Sequence, residues 1–195
     1  MHHGIIAAQC SPADLLGELA RHVATLTVGD AVDGPFDVDF ASAAANGGSG
    51  WTLAIGGVDD RAFLLDTSMV LSNSADMLLA MSVRLGTVMG AGAETATGSS
   101  WLTLARHGLL DRFVYDSHLA MTRAMAIGQP LPCEPVADAA GLFTALAFVG
   151  LDPRSWLAAG PSYEISWDGS RFPADGRIAA LQKEHYERYG LHWAG

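Results

Sequence analysis

Apolar and polar residues change their spacing several times along this chain, and each change marks an element. In SPADLLGELARHV, Leu15, Leu16, Leu19 and Val23 recur at helical spacing. Ser11 is placed to cap that helix, Pro12 suits its first position, and Asp14 sets a carboxylate against its positive end. Gly29, Gly34 and Pro35 interrupt the pattern. FDVDF at 36–40 then alternates like a short strand, NGGSG at 46–50 reads as a loop, and WTLAIGG from Trp51 reads as a second strand.

The middle of the chain carries competing signals. AFLLDTSMVL from Ala62 reads as a strand and SNSAD as a turn. Over residues 77–89, Leu79, Met81, Val83 and Leu85 alternate with Ala80, Ser82 and Arg84, which favours a strand. Ser74 would also cap a helix carrying Met77, Leu78, Met81 and Leu85 on one face. With the strand preferred, GAGAETATGSS at 90–100 is expected to be a connecting loop.

WLTLARHGLLDRFVYDS, Trp101 to Ser117, poses the same question with a clearer answer. A helix there would hold Gly108 in its interior at a cost of ~1 kcal/mol against alanine. A two-residue turn at His107-Gly108 needs positive φ, which glycine adopts freely and histidine tolerates. The stretch therefore predicts a hairpin. The simplest register sets Arg106 against Leu109, Leu104 against Asp111 and Leu102 against Phe113, with Trp101 on the face of Arg112.

Downstream, a helix is predicted up to about Val149, with Gly150 as its left-handed stop. Asp152 and Pro153 would open a second helix ended by Gly160-Pro161. SYEISWDG reads as a strand. A last helix in DGRIAALQKEHYERYG aligns Ile178, Leu181, His185 and Tyr189, with Gly190 as its stop. The expected fold is α+β, a meander of about five to six antiparallel strands covered on one face by N-terminal and C-terminal helices. A doubly wound parallel sheet is the weaker alternative, since strands and helices do not alternate regularly. At 195 residues a single domain spanning 1–195 is expected, with residues 1–10 a candidate for disorder. Whether His2 and His3 are native or vector-derived stays open.

Composition narrows the function classes. Half the residues are hydrophobic and 16% are charged, enough apolar material for a core. Acidic residues outnumber basic ones 21 to 11, a formal charge of −10, so nucleic acid and membrane surfaces are poor partners and a basic protein is a better one. Two cysteines do not make a disulfide framework, and no apolar run approaches the ~18 residues of a spanning helix. The N-terminus lacks the basic region of a secretory signal, so a cytoplasmic protein is expected.

No strong catalytic signature emerges. Neither a nucleophile elbow nor a zinc or calcium motif occurs, and GAGAE at 90–94 lacks the third glycine of a dinucleotide fingerprint. No cofactor or metal is expected. Met1-His2-His3 could chelate copper, though an unstructured terminus is the commoner meaning. Cys133 lies beside Glu134, whose charge would raise its pKa, and Cys10 precedes the first helix. The methionines of the middle stretch read as adaptable core filling. The best acid–imidazole pair is Asp116 with His118, two residues apart on one strand face, with Arg112 on the same face. A surface hydrogen bond is the commoner role for such a pair.

SSWLTLARHGLLDRFVYDS, then GQPLPCE, then GLFTALAFVGLDPRSWLAAGP together resemble small acidic bacterial proteins of the immunity type found beside polymorphic toxins. The likeness covers roughly residues 99–167 and leaves the first half unmatched. It consists of a sheet hairpin, a proline-bounded loop and a "G-D-x-x-x-W-L"-like helix start, and brings no catalytic or binding residue. It implies a protein that works by binding another protein.

The reading expected from the sequence is thus a non-enzymatic acidic protein-binding module. Its acidic loop residues Asp30, Asp33, Asp59, Asp60 and Glu134 would face a basic partner. The alternative is a small-molecule-binding protein or enzyme with a pocket between sheet and helices, built around Asp116, His118 and Arg112. A homo-oligomer is a third possibility, with Trp167 or Trp193 supplying contact area.

Overall fold

A computed structural model of the chain describes residues 2–23, 25–33, 51–58, 60–66, 68–94, 98–117, 125–134, 136, 139–152, 161–167 and 176–188. The fold is α+β. Nine strands form one sheet: β1 (His2–Ala8), β2 (Thr27–Asp33), β3 (Trp51–Val58), β4 (Arg61–Asp66), β5 (Thr87–Glu94), β6 (Ser99–Arg106), β7 (Leu109–Ser117), β8 (Met125–Gly128) and β9 (Pro161–Trp167). Their order is β2-β9-β3-β4-β1-β5-β6-β7-β8, every pair antiparallel. The described helices are α1 (Pro12–His22), α2 (Ala75–Leu85), α3 (Ala139–Phe148) and α4 (Arg177–Arg188).

The sheet is larger than the expected five to six strands, and only β5 to β8 form a simple meander. The first segment, read as a candidate for disorder, is its central strand. β1 lies between β4 and β5, and Gly4 to Ala8 are all buried. Ile6 and Ala8 face one core cluster while Ile5 and Ala7 face another. A strand covered on both faces shows no apolar–polar alternation, and in GIIAA that signal is missing.

Both sheet faces are covered, not one. Leu15 and Leu19 of α1 and Met77, Leu78 and Met81 of α2 pack on Ile6, Ile55, Leu64 and Ile165. On the opposite face Leu142, Ala145 and Leu146 of α3 pack on Ile5, Phe63, Leu65 and Leu102. Ile178 of α4 joins Ala75 and Phe113 in a smaller cluster.

Residues 75–85 are helix, overturning the preference for strand. A strand needs Val83 on the buried side with Met81, yet Val83 is 66% exposed while Met81 is fully buried. ADMLLAMSVRL is also rich in strong helix formers. Consequently 87–94 is not a loop but β5, and its glycine is required. A Cβ on Gly90 would stand 2.3 Å from Leu78 Cδ1, so only glycine lets α2 settle so close to the sheet. The segment from Ala62 is a shorter strand than expected, ending at Asp66.

The hairpin of the sequence reading is present. His107 and Gly108 have φ of +50° and +79°, as a tight hairpin turn demands. Its register differs beyond Ala105, where the pairing shifts: Arg106 meets Leu109 and Ala105 meets Leu110, but Leu104 meets Arg112 and Leu102 meets Val114. The extra residue is Asp111, a bulge that turns Arg112 onto the face of Leu104. Trp101 pairs with Tyr115 and lies on the other face, contrary to expectation.

Several end signals hold. Ser11 Oγ accepts from the Asp14 amide at 3.1 Å and caps α1. α3 stops at Gly150, φ +76°, where Leu151 N bonds Leu146 O and Gly150 N bonds Ala147 O, the Schellman arrangement. The strand at 36–40, the loop at 46–50, the helix expected over 153–160, and Tyr189, Gly190 and Trp193 lie outside the described residues. Trp167 is 2% exposed and belongs to the core, so it offers no oligomer contact. Met77, Met81 and Met89 are core residues as read. None of the described helices is long and apolar enough to cross a membrane.

Candidate functional site

The bulge at Asp111 decides which polar groups meet. Arg112 and Asp116, two of the three residues singled out in the sequence, lie on one face of β7 opposite Leu104 and Ser100. The third, His118, lies outside the described residues. Arg112 is 4% exposed, and its guanidinium turns to Glu134 in the proline-bounded loop. Nε donates to Oε1 at 2.7 Å and Nη2 to Oε2 at 2.5 Å. Nη1 donates to the Ile127 and Gly128 carbonyls at 3.2 and 2.8 Å. Glu134 Oε1 also accepts from the Leu131 amide at 3.0 Å, closing the loop on itself.

This pair clamps β7, the end of β8 and the loop together. Burial alone would raise the Glu134 carboxyl, but the Arg112 guanidinium and the Leu131 amide outweigh it and hold the group below its usual range. Both carboxylate oxygens and all three guanidinium nitrogens are already engaged, so Glu134 is tied to its own chain instead of facing outward.

Beside the clamp is a cavity of about 260 Å³ lined by Ser100, Leu102, Arg112, Val114, Asp116 and Glu134. Ligand pockets usually span ~300–1,000 Å³, so this one is small. Arg112 and Asp116 stand four residues apart on a strand, about 13 Å between their Cα atoms. They cannot work on one proton without something between them.

The acidic residues distribute differently. Asp30 is exposed on β2, at the irregularity between Val28 and Ala31. β2 ends one side of the sheet, and among the described residues nothing pairs with its outer edge. Asp60 occupies the β3–β4 turn with its side chain 79% exposed, 3.8 Å from the Arg61 guanidinium. Register places the end of β2 and the β3–β4 turn at one rim, with Asp30 three residues farther back along β2. Ala31 pairs with Tyr163 and Tyr163 with Ile55, so Asp33, opposite Pro161, ends β2 level with the β3–β4 turn. The strands β2 and β3 are two spacings apart, about 10 Å. Asp59 lies outside the described residues.

Other reactive groups are subdued. Burial, with the Asp14 charge adding to it, pushes the Cys10 thiol up to about 12. Burial raises Cys133 too, and the Glu134 charge adds to that as expected. Neither thiol is poised as a nucleophile. No group of three or more potential metal ligands occurs among the described residues.

Three carboxylates went unnoticed in the sequence. Asp66, fully buried at the end of β4, accepts from Ser68 N at 3.1 Å, Ser68 Oγ at 2.5 Å and Ser72 N at 2.7 Å. Burial raises its pKa against those hydrogen bonds. The D-x-S spacing was a usable signal for such a turn. Asp76 caps α4 from the first turn of α2, at 3.1 Å from Ile178 N and 2.9 Å from Ala179 N. Glu18 sits 5% exposed on α1. Arg21 and His22, three and four residues after Glu18, were a local signal, but nothing local announces Arg84 as its third partner or α4 as the partner of Asp76.

Compared with family models, with curated proteins and with solved structures, the chain matches none.

Proposed function

We propose that this chain is an acidic protein-binding module, and that a basic partner docks at the sheet rim where β2 ends at Asp33 and the β3–β4 turn carries Asp60, with Asp30 farther back on exposed β2. The observation that carries the reading is the register. It brings carboxylate-bearing segments distant in sequence to one end of the sheet, beside the outermost strand. The ends of β2 and β3 are about 10 Å apart, near one Debye length at 0.1 M salt, so the fields of acids there add at low salt. The net charge of −10 supplies the same sign at long range. The likeness of residues 99–167 to immunity-type proteins accords with a toxin-like basic protein as the partner. Affinity capture from lysate at low salt tests this, with D30K/D60K as the control. Recovery of a basic protein that the double variant fails to retain supports the proposal. Equal recovery by both chains contradicts it.

A second reading rests on the cavity beside the clamp. A small molecule of a few heavy atoms would meet Asp116 and Ser100 there, with Arg112 fixed behind them. Its size and the saturation of the Arg112–Glu134 pair make it the weaker of the two. Asp116→Ala would leave partner capture intact and remove any ligand that this cavity holds.

A further inference from the structure

Glu18 lies in the middle of α1, and three basic groups converge on its buried carboxylate. Arg21 Nε stands 3.3 Å from Oε2, Arg84 Nε of α2 stands 3.0 Å from the same oxygen, and His22 Nε2 stands 3.3 Å from Oε1. A buried carboxylate needs one cation for balance. Here two permanently charged guanidiniums meet one carboxylate, in a chain whose formal charge is −10. Compensating Glu18 accounts for one arginine and not for the second.

The arginines differ from their anchor in exposure. Their side chains are 60% and 58% exposed against 6% for Glu18. Both reach Glu18 through Nε, and among the described residues no acceptor engages their Nη groups. They stand on the wall of a depression of about 600 Å³, also lined by Gln9, Cys10, Asp14, Gly17 and Leu85. That volume falls within the ~300–1,000 Å³ of ligand sites. At Gly17 nothing comes within 4 Å of where a Cβ would stand, which leaves the helix surface open beside the guanidiniums.

We propose that Arg21 and Arg84, held in place by Glu18, form a binding site for a small oxyanion, a carboxylate or a phosphate. The inference stands apart from the acidic rim and from the cavity beside Arg112. A guanidinium offers parallel N–H donors that match such groups two at a time, and both ion pairs with Glu18 run through Nε, which leaves the Nη edges to such a ligand. Asp14 is, with Glu18, one of two carboxylates lining the depression, and its Oδ2 accepts from the Ser11 hydroxyl at 2.6 Å. It lies seven residues before Arg21, about 10 Å along the helix, and repels a ligand with a second negative group at that end. Compact anions therefore suit the site best.

The test is an amide-resolved NMR titration of the whole chain with sodium phosphate and, separately, sodium acetate, at ionic strength held constant with sodium chloride. Saturable shifts at Gly17, Arg21, Arg84 and Leu85 are expected. Saturation by phosphate alone assigns the phosphoryl class, and by acetate alone the carboxylate class. R84Q should weaken binding about tenfold with unchanged circular dichroism. R84K keeps the charge but loses the fork, and should weaken it too. Shifts that grow linearly and match those of chloride overturn the site, as does undiminished affinity in both variants.

Discussion

The Gly108 amide donates a 2.9 Å hydrogen bond to the Ser82 hydroxyl, which itself donates to the Leu79 carbonyl at 2.7 Å. One buried side chain thus fastens the tip of the β6–β7 hairpin to the last turns of α2. Ser82→Ala leaves the Gly108 N–H without its acceptor, and a loss of ~1–3 kcal/mol is expected in urea unfolding. Gly108→Ala adds strain at φ +79° and sets a Cβ 3.0 Å from Val83 Cγ2, so it should cost at least as much.

Asp76 provides a second tie between distant segments. Its two carboxylate oxygens cap the first turn of α4, where a Cβ at Gly176 would collide with the Asp76 carboxylate at 2.0 Å. Asp76→Ala should lower stability by ~1–2 kcal/mol. Hydrogen exchange should quicken at the Ile178 and Ala179 amides and leave the central strands protected.

The Arg112–Glu134 clamp predicts a non-additive pair. Removing one partner strands the other in a buried place, so Arg112→Met or Glu134→Gln should each lose ~3–5 kcal/mol. Replacing both with apolar residues should recover much of that loss. The carboxyl is held below the ordinary 4.5, so its contribution is complete above that pH and is lost as pH falls through the folded-state value. The wild type should lose stability there, and Glu134→Gln should lack that component.

Asp66 should act in the opposite sense. Its carboxyl is raised by burial above 3.8, so the folded protein binds this proton more tightly than the unfolded chain. Stability from this group should rise as pH is lowered through the raised value towards 3.8. Asp66→Asn should flatten that rise, measured as urea midpoints between neutral and mildly acidic pH.

What could be read from the sequence depended on whether the deciding contact was local. Ser11-Pro12 and Gly150 act within their own helices, and both ends stand where the chain signals them. His107-Gly108 likewise specified its turn. The strand preference at 77–89 failed because alternation and helical spacing fit the same apolar residues there, and only burial of Met81 without Val83 separates them. β1 escaped notice because burial on both faces erases alternation. The hairpin register slipped by one because a bulge at Asp111 depends on the neighbouring strand, and the slip moved Arg112 into the loop of Glu134. The acidic rim was legible as residues but not as a place, since the end of β2 at Asp33 and the turn at Asp60 come to one end of the sheet only through the order β2-β9-β3-β4.

The central claim is that a basic partner docks on this rim, and its most direct test is the association rate of the captured partner with the purified chain across ionic strength. The account predicts a rate that falls steeply from 50 to 500 mM salt, roughly tenfold or more, and that D30K/D60K lowers at low salt and makes nearly salt-independent. A rate indifferent to both salt and charge reversal would contradict it.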